Sequence, residues 1–140
     1  FLTGHTLSGT ENWDTYTIKL DFNGNILWES KIGNPRGFDS KYIHDEAWGV
    51  VSTKDGGCIV VAGSGDEYNN YDMTCKNLNQ SSNNWVVYLI KYNNSGLIEW
   101  EKTYGDKNIG DLAGEDIDLN DDGSIIVAVD DGGFGFLKLK

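Results

Sequence analysis

Proline occurs once in these 140 residues, at Pro35, and histidine and cysteine occur twice each. The cysteines, Cys58 and Cys75, form no CxxC pair and join no Cys/His cluster, which argues against a zinc site. Cations are scarce. Eleven Lys and Arg stand against 22 Asp and Glu, a formal net charge of -11, and the sequence pI is near 4.3. Such a surface repels a nucleic-acid backbone or an anionic membrane. No apolar run is long enough to span a bilayer, and no segment carries a convincing helical period. The chain begins at Phe1 rather than Met and shows no signal segment, so it reads as processed, or cut from something larger.

Glycine is plentiful at 18 residues, with five Trp and seven Tyr, and hydrophobic residues make up 39%. That composition argues against disorder. The length suits one domain with its own core. Glycine turns between aromatic and β-branched runs favour strands.

One stretch occurs twice. Residues 15–33 read TYTIKLDFNGNILWESKIG and residues 87–105 read VYLIKYNNSGLIEWEKTYG. Setting Lys19 on Lys91 also aligns Tyr16 with Tyr88, Gly24 with Gly96, Trp28 with Trp100 and Gly33 with Gly105. A second hairpin recurs: DEAWGVVSTKDGGCIVVAG at 45–63 matches DLAGEDIDLNDDGSIIVAV at 111–129, with Gly57 on Gly123 and Ile59 on Ile125. The opening FLTGH fits the end of CIVVAG, with Gly4 on Gly63. A fixed offset over whole hairpins dictates a repeat architecture. With strands numbered 1 to 4 within a unit, the chain runs 2-3-4, then 1-2-3-4, then 1-2-3.

Each unit is a four-stranded antiparallel meander, too small to bury its own faces. The strand WVVYLIKY at 85–92 is apolar on both faces, so its sheet must be covered on both sides. Radially stacked β-propeller blades meet that need. The expectation is an all-β chain of about two and a half blades in an incomplete ring. It comprises a partial blade at 1–33, a full blade at 45–105 with an insertion at 64–84, and a partial blade at 111–140. Further blades would come from flanking sequence or other chains.

The pattern IKLDxNGNxxW…G…DGGxIVxAG resembles the blade repeat of propeller proteins found among secreted and surface proteins of bacteria and archaea. It is similar, more distantly, to the Trp-docking repeat of quinoprotein propellers. The chain departs from the family at Cys58, where an aromatic is usual, and in the length of the insertion. The quinoprotein likeness implies no cofactor, because neither the vicinal cysteine pair nor the metal-binding acidic set is identifiable. The family resemblance implies a secreted or cell-surface location.

Short, similar turns 1-2 and 3-4 belong at one end of the stack, and the longer, dissimilar 2-3 and 4-1 loops at the other. Variable loops on a rigid scaffold are where binding usually lives. The candidate ligand-binding residues there are Trp13, Asp14, Arg36, His44, Asp66, Glu67, Tyr68, Asp72 and Trp85. Trp13 and Trp85 flank 2-3 loops and suit stacking on sugars. Trp28 and Trp100 share a fourth-strand position and read as rings docked on the next blade. Asp118, Asn120 and Asp122 fit DxNxDG, the start of a calcium loop, but Ile126 and Val129 follow where further oxygen ligands are wanted. The sequence suggests no cofactor beyond this candidate calcium. Cys58 and Cys75 could pair in an oxidising compartment; the alternative is two unrelated thiols. His44-Asp45 could be a base with its orienter, but a loop-anchoring hydrogen-bonded pair fits better. Ser64, in Gly63-Ser64-Gly65, lacks the spacing of a nucleophile elbow. No catalytic set emerges. The expectation is a non-enzymatic binding module or scaffold, with protein or carbohydrate as partner, no nucleic acid and no membrane insertion; the alternative is a carbohydrate- or calcium-binding propeller, or part of a propeller enzyme with its site at the same loop end.

Overall fold

The computed structural model describes residues 1–8, 13–33, 43–66, 85–105 and 112–140. Among them are ten antiparallel strands in three sheets and no helix. The N-terminal sheet has the order β1-β2-β3, from Leu2–Thr6, Asp14–Leu20 and Ile26–Ile32. The central sheet has the order β4-β5-β6-β7, from Ile43–Ser52, Cys58–Asp66, Val86–Tyr92 and Ile98–Tyr104. The C-terminal sheet has β8 (Ala113–Leu119), β9 (Ile125–Asp130) and β10 (Phe134–Leu139), with β9 in the middle. Three, four and three strands is the count expected from the two recurring hairpins.

Short side chains set the turns. In the β2–β3 turn, the Asp21 carboxylate accepts from the backbone N–H of Asn23 and Asn25 at 2.8 and 2.9 Å. In the β6–β7 turn, Asn93 does the same for Ser95 and Leu97 at 2.9 and 3.1 Å. Gly24 and Gly96 follow at φ 85° and 82°, a region that costs other residues steric strain.

The central sheet is apolar on both faces, and every residue of β6 is buried. Cys58, Val60, Ala62, Tyr88, Ile90 and Tyr92 form one cluster, against which Phe1, Trp28 and Ile32 of the N-terminal sheet pack. Ile59, Val61, Val87 and Leu89 form the opposite cluster with Ile117, Val127 and Val129 of the C-terminal sheet. Each fully buried aliphatic side chain contributes about 1.5–3 kcal/mol, so these two clusters hold the three sheets together. Strand β4 contacts both β1 and β8.

The register corrects two details of the expected alignment. Gly56, not Gly57, is the counterpart of Gly123, and with it Cys58, not Ile59, that of Ile125: each of the two glycines has φ 81° and donates to the residue three before it, Thr53 or Asn120. Likewise Gly4 faces Tyr16 as Ala62 faces Tyr88, so Gly4 corresponds to Ala62 rather than Gly63. DGG against DDG admits two alignments one residue apart. Only the backbone conformation decides which glycine turns the chain. The register also breaks between Ala47 and Gly49 and between Gly114 and Asp116. These are β-bulges, whose extra residues are Trp48 and Glu115.

Candidate functional site

Antiparallel pairing sends the β3–β4, β5–β6, β7–β8 and β9–β10 connections to one end of the sheets. At that end, sheets are joined by backbone hydrogen bonds through two tryptophans. The Trp13 carbonyl accepts from Asp45 N–H at 2.8 Å, and the Trp85 carbonyl accepts from Leu112 N–H at 3.0 Å. Each bond ties the lead-in to one sheet's strand to the start of the next sheet.

Trp85 lies flat on β5. A Cβ on Gly63 would be 2.9 Å from its indole, and one on Gly65 would be 2.4 Å away. Gly63-Ser64-Gly65 is therefore a floor for a ring, and Ser64 is fully buried beneath it. Across from Trp85, the β4 bulge turns Trp48 outward to 53% exposure. A bulge re-aims one side chain because two residues oppose one on the partner strand.

Between these rings opens a cleft of about 230 Å³ lined by Glu46, Trp48, Trp85, Ala113, Glu115 and Asp130. Its charge is of one sign. Burial raises the Glu115 carboxyl above its ordinary range, and the charges of Asp130 and Glu46 raise it further. Like charges sharing a partly desolvated site disfavour ionisation. A second aromatic group abuts the cleft: His5 sits edge-on to Trp13 at 5.0 Å and to Trp48 at 5.2 Å.

Of the residues expected at the site, Trp85 lines the cleft and Trp13 stands one sheet away. His44 is buried at 4% exposure, with Nδ1 3.9 Å from Glu46. Asp14 is half-buried and faces Gly33 together with the buried Asp45; a Cβ there would lie 2.4 Å from an Asp14 oxygen and 2.9 Å from one of Asp45. Burial raises the Asp14 carboxyl. Asp66 ends β5, while Arg36, Glu67, Tyr68 and Asp72 lie outside the described residues.

Asp118, Asn120 and Asp122 sit at the opposite end, in and beside the β8–β9 turn. Asp118 accepts from Leu119 N–H at 2.8 Å, Asn120 donates to Ser124 Oγ at 2.7 Å, and Asp122 accepts from Ser124 N–H at 2.9 Å. Those bonds hold the turn itself. Among the described residues no group of three His, Cys, Asp or Glu is placed to hold a metal ion. Cys58 is buried with a free thiol; Cys75, its expected partner, lies outside the described residues.

Sequence reasoning passed over Trp48, Glu46 and Glu115. Two short signals point to the bulged residues: Ala47-Trp48-Gly49 and Gly114-Glu115-Asp116 each put a glycine beside a residue that breaks the alternation of its strand. Comparison with known protein families finds no match to this chain, and comparison with curated proteins finds none.

Proposed function

We propose that this chain is a run of β-propeller blades, about two and a half of them. It serves as a non-enzymatic binding module and scaffold of a secreted or cell-surface protein. The contact surface is the end carrying the longer connections, and further blades from flanking sequence or other chains cover the two outer sheets. The observation that supports this reading is the cleft between Trp48 and Trp85, which brings two aromatic rings and three carboxylates together where the central and C-terminal sheets meet. Concave sites with aromatic walls and a few convergent polar groups are where ligands bind.

The test is a binding screen with a panel of neutral oligosaccharides and of short peptides, read by NMR at the indole N–H of Trp48 and Trp85. The expected outcome is saturable shifts at both indoles with at least one class. A panel that moves neither indole at millimolar concentration sinks the proposal.

A further inference from the structure

One sheet earlier, the equivalent positions carry different side chains. By register, His5 faces Thr15 as Gly63 faces Val87, so His5 and Gly63 are counterparts. By the same reasoning Trp48 and Glu115 are counterparts, each the extra residue of a bulge in its sheet's first strand. Trp13 and Trp85 hold equivalent hydrogen bonds to the following sheet. Where the N-terminal and central sheets meet, the His5 imidazole stands between Trp13 and Trp48, edge-on to both. Where the central and C-terminal sheets meet, Gly63 has no side chain and the Trp85 ring itself lies over it, while a carboxylate, Glu115, stands in place of the second ring. The cleft opens beside the Trp85 ring, with Trp48, Glu115, Asp130 and Glu46 completing its wall.

We infer that this cleft takes a planar organic cation, the guanidinium of an arginine side chain on a partner peptide. The inference rests on the reading of this end as the contact surface, and names the ligand for it. A guanidinium is flat, stacks on an indole face and meets a carboxylate through two parallel N–H donors. Trp48 and Trp85 supply the faces; Glu115, Asp130 and Glu46 supply acceptors whose mutual repulsion a cation relieves. No Lys or Arg among the described residues is within ion-pair distance of Glu115 or Asp130. A volume near 230 Å³ is several times the share of one water molecule, about 30 Å³, so an organic group has room. The chain's -11 net charge favours approach of a basic partner.

The probe is acetyl-glycyl-arginyl-glycine amide, compared with its citrulline analogue, which keeps the shape and loses the charge. The expected result is saturable shifts of the Trp48 and Trp85 indole signals by the arginine peptide, weakening as salt is added. Affinity should fall about tenfold or more with citrulline, with Glu115→Gln and with Trp48→Ala. Glu115 and Trp48 are exposed, and unchanged amide spectra away from the cleft verify the fold; Asp130→Asn is the second carboxylate variant. Equal binding of the citrulline peptide overturns the inference, as does an arginine peptide that leaves both indoles unmoved at millimolar concentration. If neutral oligosaccharides move the indoles and the arginine peptide does not, the cation is wrong and the binding module stands. If neither moves them, both readings fall.

Discussion

Lys91 is only 7% exposed, and its ammonium is satisfied from three directions. Asp55 lies at 2.8 Å, Glu99 at 3.0 Å and the Tyr92 carbonyl at 2.9 Å. Burial opposes the Lys91 charge, but the two carboxylates outweigh it and its pKa is raised. The Lys91 ammonium, with Thr53 and Gly57 N–H, holds Asp55 well below the usual carboxylate range. A depressed folded-state pKa stabilises above the unfolded value, near 3.9, and that contribution is lost as pH falls toward the folded value. Urea midpoints between pH 5 and 2 should therefore fall more steeply for the wild type than for Asp55→Asn. Parallel curves would disprove the linkage. Cys58, on the same sheet, is pushed up to about 11, chiefly by burial. A protonated, buried thiol is inert, so iodoacetamide at pH 8 should modify Cys58 only after denaturant is added. Equal labelling of native and denatured protein would contradict this.

At the scale of elements, β2–β3 and β6–β7 share one design. Tyr16 donates to Glu29 and Tyr88 to Glu101, at matching cross-strand sites. Lys19 faces Trp28 and Lys91 faces Trp100, each just before a register shift. The two tryptophans are half-buried rather than enclosed, which lowers the expected cost of losing them. Trp28 is the better anchored. Its Nε1–H donates to the Asn94 carbonyl at 3.1 Å, its ring meets Tyr92 at 5.4 Å, and it covers Gly96 so closely that a Cβ there would come within 2.7 Å. Trp100 packs on the other cluster, with the Lys102 ammonium over its ring at 5.2 Å. Trp28→Ala should cost about 2–3 kcal/mol and Trp100→Ala about 1–2, below the roughly 3–5 of a fully buried ring. Denaturant melts that reverse this order would show that the inter-sheet hydrogen bond carries no weight.

At the scale of the molecule, the two outer sheets differ from the central one in what covers them. By register with β9 and β5, Phe134 and Phe136 are the counterparts of Val87 and Leu89. Val87 and Leu89 are fully buried, whereas Phe134 and Phe136 are 88% and 68% exposed. Leu2 and Ile26 are exposed on the N-terminal sheet. Apolar faces of this kind mark interaction surfaces. The 140-residue chain alone should associate as concentration rises, and Phe136→Asp should reduce that association. Light scattering that finds a cooperatively melting monomer of the wild-type chain at every concentration would refute it.

Strand identity, turn positions and the three-four-three count were legible in the sequence. Each depends on neighbours in the chain: alternation of apolar residues, glycine after Asn or Asp, a hairpin met twice. The pairing of Trp13 with Trp85 was legible for the same reason. The choice between Gly56 and Gly57 was not, because either glycine satisfies the local pattern and only backbone torsion separates them. Nor was the cleft. Glu46, Trp48, Trp85, Glu115 and Asp130 come from three strands and a loop end, and they meet only because β8 lies against β4 and β5. Two bulges then turn Trp48 and Glu115 out of alternation. Local spacing determines which residues form strands; long-range packing between sheets decides which of their side chains share a site.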